Sequence, residues 1–144
     1  MKISVIGLGK LGYPMAEFLS SSGLSINCYD KNEKLLVDLK NKVNPLKFEN
    51  ELFNYINNDN NLNYFLNIQD CLKGTDICFV TVPTPSNIDG SFNNKYLEEV
   101  LENLSIYILD RKKNKLQNPL IINVNSTVSP GTFENILIPY LEKK

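Results

Sequence analysis

The chain begins with an apolar segment, residues 2–6, that leads directly into the pattern Gly-x-Gly-x-x-Gly at Gly7, Gly9 and Gly12. A helical pattern follows over residues 10–22. This order of strand, glycine turn and helix is typical of a site that binds a pyrophosphate at a helix N-terminus. The first glycine permits the tight turn, the second lets the backbone approach the phosphates, and the third lets the helix pack on the strand. Glycines also mark ordinary turns, so the flanking strand and helix are what favour a dinucleotide site.

An acidic residue follows the glycines at the distance such a site requires. Asp30 ends the second predicted strand, residues 25–29, eighteen positions after Gly12. A carboxylate about 20 residues beyond the glycines accepts hydrogen bonds from the adenosine ribose hydroxyls, and it repels a 2′-phosphate. Asp30 therefore predicts NAD rather than NADP, although the adjacent Lys31 could soften that preference. The same side chain could also cap the helix predicted over residues 32–41, a role that is compatible with binding.

Size and composition indicate one domain, residues 1–144, with an ordinary apolar core. The 15 basic and 16 acidic residues give a net charge of −1, which does not favour a nucleic acid or an anionic membrane as a partner. The apolar runs are too short to cross a bilayer, and no secretory signal precedes the first strand, so we expect a cytoplasmic location. The sequence has no histidine, and its three cysteines lack metal-ligand spacing, so no metal site is predicted and the thiols are expected to be reduced.

Strand and helix patterns continue to alternate along the chain. Further strands are predicted at 64–66, 76–82 and 120–124, and further helices at 49–58, 68–73, 94–112 and from Pro130 to the C-terminus; the asparagine-rich residues 57–63 are predicted to form a loop. The pattern predicts an α/β fold, a Rossmann-type doubly wound parallel sheet with strand order 3-2-1-4-5 and no sixth strand. A cofactor crevice is expected between the first and fourth strands. The first helix is predicted to bury the apolar face formed by Leu11, Met15, Phe18 and Leu19.

Two loops follow predicted strands at their carboxyl ends, where open α/β sheets bind ligands. The first reads Val82-Pro83-Thr84-Pro85-Ser86 and continues to Asp89-Gly90-Ser91, and the second reads Asn125-Ser126-Thr127-Val128-Ser129-Pro130-Gly131-Thr132. Taken separately, the first could be a cluster of turns and the second a helix cap. Combined with the glycine turn and Asp30, they favour a cofactor-binding role.

These four motifs, in this order, make the chain resemble the NAD-binding domain of the UDP-glucose/GDP-mannose dehydrogenase family, the nucleotide-sugar 6-dehydrogenases, over essentially all 144 residues. The resemblance implies NAD as the cofactor. It implies cofactor-binding roles for Gly7, Leu8, Gly9, Lys10, Leu11 and Gly12 at the pyrophosphate, for Asp30 at the adenosine ribose, and for Val82, Pro83, Thr84, Pro85 and Ser86 along the cofactor. Lys34 would stand in for a basic residue that often follows the acid.

The second loop is implied to lie beside the nicotinamide, with Ser126, Thr127 and Val128 in contact with it. Thr127 resembles a family threonine that assists proton transfer through water, which makes it the candidate catalytic residue. A threonine hydroxyl is a poor base, so its expected role is positioning and polarity rather than proton abstraction.

The resemblance also implies a reaction, the oxidation of a sugar CH₂OH to a carboxylate with two NAD⁺, as in polysaccharide precursor synthesis. A cysteine of the family captures the aldehyde as a thiohemiacetal, but Cys28, Cys71 and Cys78 are predicted to be inert because none has a paired base. We therefore expect a truncated enzyme that is inactive alone and binds a UDP- or GDP-sugar, with a slight leaning toward UDP-N-acetylhexosamines, only when a C-terminal domain completes it. An exposed edge at the fifth strand would allow a homo-oligomer.

Two alternatives remain open at the level of sequence. The chain could be a stand-alone NAD-binding module without chemistry of its own. Its first residues also resemble the cofactor domain of β-hydroxyacid dehydrogenases, although the loop with Thr84-Pro85 and Asp89-Gly90-Ser91 argues against that group.

Overall fold

The computed structural model of the chain describes residues 1–44, 46, 61–115 and 118–142. These residues form one parallel five-stranded sheet in the order β3-β2-β1-β4-β5, which confirms the order predicted from the sequence. The strands are β1 (Ile3–Ile6), β2 (Ile26–Tyr29), β3 (Leu62–Phe65), β4 (Ile77–Val80) and β5 (Ile121–Val124). All four residues of β1 are buried, as expected for a central strand covered on both faces.

Helices cover both faces of the sheet. They are α1 (Gly12–Ser21), α2 (Glu33–Lys40), α3 (Ile68–Leu72), α4 (Lys95–Lys113) and α5 (Ile138–Glu142), the last preceded by a π-helical turn over Phe133–Leu137. The final helical segment was predicted to begin at Pro130 and begins three residues later, at Phe133. Among the described residues, no helix combines the length and apolar character that crossing a membrane requires.

The helices form two separate apolar layers. On one side of the sheet, α1 and α2 pack against side chains such as Val5 and Cys28. On the other side, α3, α4 and the π-helical turn pack against side chains such as Ile6 and Val80. Because successive side chains of β1 point to opposite faces, Val5 and Ile6 belong to different layers. The strand is followed by Gly7, which lies between the two layers.

The third strand begins earlier than predicted. Leu62 and Asn63 were expected in a loop, but they belong to β3, where Leu62 aligns with Ile26 of β2. The amide of Asn63 also donates to Ser25 Oγ at 2.9 Å. Pairing with β2 therefore outweighs the low strand propensity of asparagine. The predicted helix at 49–58 and the rest of that loop before Asn61 lie outside the described residues.

The predicted buried face of α1 is wrong. Leu11 is 56% exposed and Phe18 is 72% exposed, whereas Met15 and Leu19 are partly buried. The buried residues are Gly12, Tyr13, Ala16, Glu17 and Ser20. Gly12 must contact the preceding turn, and this contact fixes the rotation of the helix so that the small residues at every fourth position face the sheet. Close backbone packing thus overrides the apolar periodicity of the neighbouring face.

Candidate functional site

The glycine turn connects the end of β1 to the start of α1. Gly7 has φ +94°, and a Cβ built there would lie 2.9 Å from the carbonyl of Thr81. A Cβ on Gly12 would lie 1.9 Å from the carbonyl oxygen of Gly7, so the helix can approach the turn only without a side chain at this position. A Cβ on Gly9, by contrast, meets no atom within 4 Å. Gly7 and Gly12 therefore have no room for a side chain, whereas Gly9 leaves open space beside the start of α1. The N–H groups of Tyr13 and Met15 in the first turn of α1 donate to the carbonyls of Gly9 and Leu11 at 3.1 Å.

Asp30 joins this turn to the end of β2. Its Oδ2 accepts a hydrogen bond from the N–H of Leu8 at 2.7 Å, and its Oδ1 accepts one from the N–H of Asn32 at 2.8 Å. A carboxylate has about four acceptor positions, so two bonds leave capacity for further donors such as hydroxyls. The capping role considered for Asp30 is wrong, because Asn32 caps α2 by accepting from the N–H of Leu35. The side chain of Leu8 is fully buried below the turn.

A cleft of about 650 Å³ opens next to Asp30, at the carboxyl ends of β1, β2 and β4. This is the place where strand order reverses and where open α/β sheets bind their ligands. Its walls come from the turn, the segment after β2, the segment after β4 and one side of α4; they include Gly7, Tyr29, Asp30, Lys31, Val82, Pro83, Tyr96, Glu99 and Asn103. The lining therefore mixes apolar surface with polar groups.

Hydrogen bonds between side chains and backbone join the two loops that follow β4 and β5. Ser126 Oγ donates to the carbonyl of Val82 at 2.6 Å, and Thr84 Oγ1 donates to the carbonyl of Thr127 at 2.5 Å. Val82 and Val128 also pack on the layer formed by α3 and α4. The predicted residues of the two loops are therefore neighbours in space, and Ser126 and Thr84 hold the loops together.

The predicted residues occupy different parts of this region. Gly7, Asp30, Val82 and Pro83 line the cleft, while Lys10 and Leu11 are exposed at the start of α1. Thr84, Pro85 and Ser86 continue along the loop after β4, where Ser86 forms an isolated antiparallel bridge with Phe92. Lys34 is exposed on α2 and does not belong to the lining.

A basic side chain does line the cleft, but it is Lys31 rather than Lys34. Its Nζ lies 2.8 Å from Oε2 of Glu99 on α4. The hydrogen bond raises the pKa of Lys31 and lowers the pKa of Glu99. Glu99 is not among the residues predicted from the sequence, although the spacing of Tyr96, Glu99 and Asn103 places them on one strip of α4 beside its apolar face.

The three cysteines lie in the core and not in the cleft. All are buried and free. Burial raises the pKa of Cys71 to about 12, and it also raises the pKa of Cys28 and of Cys78. Because the thiolate is the nucleophile, these thiols are unsuited to covalent catalysis. Within the described ranges, no group of three His, Cys, Asp or Glu side chains could hold a metal ion.

Comparison with known proteins shows the family of the chain. The whole chain, residues 1–144, matches the UDP-glucose/GDP-mannose dehydrogenase family, NAD binding domain. A Bacillus subtilis protein with a provisional assignment as UDP-glucose 6-dehydrogenase is 35% identical over 136 residues, which are 94% of this chain and 30% of that protein. UDP-glucose 6-dehydrogenase from Rickettsia bellii is 30% identical over 147 residues, covering 100% of this chain and 32% of that enzyme.

Solved structures show the same relationship. The ternary complex of GDP-mannose dehydrogenase from Pseudomonas aeruginosa superposes with a TM-score of 0.84 at 27% identity, over 99% of this chain and 32% of that one. The chain thus spans about a third of the length of the relatives it matches. It belongs to the UDP-glucose/GDP-mannose dehydrogenase family and corresponds to the NAD-binding domain of that family.

Proposed function

We propose that the chain binds NAD in the cleft beside Asp30, as the cofactor portion of a nucleotide-sugar 6-dehydrogenase. The observation that carries this proposal is the bond of 2.7 Å between the Asp30 carboxylate and the N–H of Leu8. It joins the acceptor for ribose hydroxyls directly to the glycine turn. The acceptor and the turn are therefore held at a fixed separation, as a ligand with a ribose next to a pyrophosphate requires.

The described residues fit such a ligand. The open space at Gly9 would admit the pyrophosphate close to the backbone, where the dipole of α1 favours an anion. Lys10 and Leu11 lie at the same helix start and contribute backbone rather than packed side chains. Asp30 retains acceptor capacity for ribose hydroxyls, and the apolar walls of the cleft suit the adenine ring.

The two joined loops would hold the other end of the cofactor. NAD, when bound, supplies the hydride acceptor for oxidation of a CH–OH group. Ser126 and Thr84 fix the backbone of Val82 and Thr127 at the end of the sheet, and Val128 provides an apolar contact. Thr127 is exposed there, so its hydroxyl is accessible to a water or substrate. We assign Thr127 a positioning role, because its hydroxyl is a poor base.

We infer that the complete reaction is oxidation of the CH₂OH group of a UDP- or GDP-sugar to a carboxylate, which would yield a precursor for polysaccharide synthesis. Relatives named for UDP-glucose and for GDP-mannose support the class of sugar nucleotide. The three cysteines of the chain are buried, so a covalent step on sulfur would need a residue outside it. Turnover is therefore expected only together with the part of the enzyme that these 144 residues do not span.

Isothermal titration with NAD⁺ tests the proposal, using the 144-residue chain and three variants. Gly9→Val should abolish binding and leave the chain folded, because a Cβ at this position meets no atom within 4 Å. Asp30→Ala should weaken binding at least about tenfold, since hydrogen bonds to charged groups are worth about 1.5–3 kcal/mol. Asp110→Ala, an exposed carboxylate near the end of α4, is the matched control and should bind like wild type. A folded wild-type chain that does not bind NAD⁺ would refute the proposal.

A further inference from the structure

We propose that Glu99 is a specificity-determining residue, which selects NAD over NADP by engaging Lys31 in an ion pair across the cleft. Without Glu99, the ammonium of Lys31 would be available to a 2′-phosphate on the adenosine ribose. The inference rests on the proposed binding of NAD beside Asp30. It gives α4, which lies outside the glycine motif, a role in cofactor selection.

The position of the pair supports this role. Lys31 directly follows Asp30, the residue expected to meet the ribose hydroxyls, so its side chain starts where a 2′-phosphate would lie. Its Nζ is 2.8 Å from Oε2 of Glu99, which comes from α4, 68 residues further along the chain. Both residues line the cleft. The pair therefore connects the segment after β2 to α4 beside the ribose position.

The charges beside the ribose differ from those that the sequence indicates. The charges of Asp30 and Lys31 sum to zero. A lysine without an acidic partner would bind a phosphate well, because charge-assisted bonds to phosphate are strong. With Glu99 the three groups sum to −1. A phosphate group carries a charge close to −2 at neutral pH, so it would meet two carboxylates and an occupied ammonium. A ribose hydroxyl, which is neutral and can donate to Asp30, is not disfavoured in this way.

The pair is exposed enough to be altered without damage to the fold. The side chains of Lys31 and Glu99 are 70% and 40% exposed. Exposed ion pairs change an equilibrium constant by about two- to fivefold, so the selectivity attributed to Glu99 is of that order and adds to the effect of Asp30. Lys95, one turn before Glu99, also lowers the pKa of Glu99, and loss of the carboxylate would leave both cations available.

The test measures dissociation constants for NAD⁺ and for NADP⁺ by calorimetry, with NADP⁺ also titrated by displacement of NAD⁺. Glu99→Gln keeps the size of the side chain and removes its charge. It should lower the ratio of the NADP⁺ to the NAD⁺ dissociation constant about fivefold. Glu98→Gln is the matched control, because it removes the same charge from an adjacent exposed position of α4, and its ratio should stay within about twofold of wild type.

A double variant separates release of Lys31 from simple loss of negative charge. Glu99→Gln is expected to improve NADP⁺ binding relative to NAD⁺ binding. If Glu99 acts by occupying Lys31, the free energy of this improvement should shrink by at least half when Lys31→Gln is also present. An unchanged ratio of dissociation constants in Glu99→Gln would overturn this inference, and so would an equal improvement in relative NADP⁺ binding with and without Lys31. In either case, NAD⁺ binding to wild type would still support the proposed function. Failure of wild type to bind either nucleotide would overturn both.

Discussion

The glycine turn leads to a prediction in which one substitution lowers stability and another, three residues away, weakens binding without lowering stability. Gly12→Ala places a Cβ 1.9 Å from the carbonyl oxygen of Gly7 and 2.4 Å from Thr81 Oγ1. Ordinary van der Waals contact begins at 3.4 Å, so the Gly7 carbonyl or the helix must move by about 1.5 Å. That movement also disturbs the hydrogen bond of 2.6 Å from Thr81 Oγ1 to the Gly7 carbonyl.

The expected cost follows from these contacts. Overpacking of this kind costs about 1–3 kcal/mol, and loss of one hydrogen bond adds about 1 kcal/mol. Alanine restricts the unfolded chain more than glycine does, which returns about 0.4–1 kcal/mol. Gly12→Ala should therefore lower the free energy of unfolding by about 1–3.5 kcal/mol. Gly9→Ala, whose Cβ meets no atom within 4 Å, should have a free energy of unfolding equal to wild type or up to about 1 kcal/mol higher.

Urea unfolding followed by far-ultraviolet circular dichroism measures both variants, and titration with NAD⁺ complements it. Gly9→Ala should unfold at or above the wild-type midpoint yet bind NAD⁺ at least about tenfold more weakly, because its methyl group occupies the space proposed for the phosphates. Wild-type stability of Gly12→Ala would refute the steric argument. Wild-type affinity of Gly9→Ala would refute the proposed position of the pyrophosphate.

Other parts of the structure give further expectations. Arg111→Met should lower the free energy of unfolding, measured in urea, by about 2–3 kcal/mol. The buried guanidinium donates to the carbonyl of Thr75 at 2.8 Å and also to the carbonyl of Asn118, and wild-type stability would show that these bonds are dispensable. Ser126→Ala should weaken NAD⁺ binding severalfold with little loss of secondary structure, and unchanged affinity would argue against a role for the joined loops. Burial raises the pKa of Cys71 from 9.0 to about 12, so stability should be complete below pH 9 and fall as the pH rises from there, by about 1.4 kcal/mol per pH unit for that thiol. A flat profile of unfolding free energy between pH 9 and 11 would contradict this.

Much of the fold could be predicted because its local patterns are unambiguous. The alternation of strands and helices predicts a parallel sheet, and the near-continuous apolar run of β4 indicates a central strand. Gly7 and Gly12 belong to the sequence motif, and the structure leaves no room for a side chain at either position. These features depend on residues close together in the chain, which is why the sequence alone reveals them.

The features that differ from the sequence-based expectations depend on contacts between residues far apart in the chain. The rotation of α1 follows from the contact of Gly12 with the turn, and neither the exposure of Phe18 nor that of Leu11 is visible in the apolar periodicity. Asn32 rather than Asp30 caps α2, because the helix begins at Glu33, one residue later than predicted, and the Asn32 side chain accepts from the N–H of Leu35. The pairing of Lys31 with Glu99 joins residues that only the packing of α4 brings together.

The two hydrogen bonds between the loops after β4 and β5 have a consequence for the dynamics of the sheet. In the described sheet β5 lies at an edge and pairs only with β4, so local opening of this strand should be the least costly among the strands next to the site. A ligand that rests on both loops would bind the closed state alone, and by mass action it would make opening rarer in proportion to its saturation. Amide exchange along β5 would then report ligand occupancy: its rate should fall as ligand is added, because the loop that follows the strand is held in the closed state.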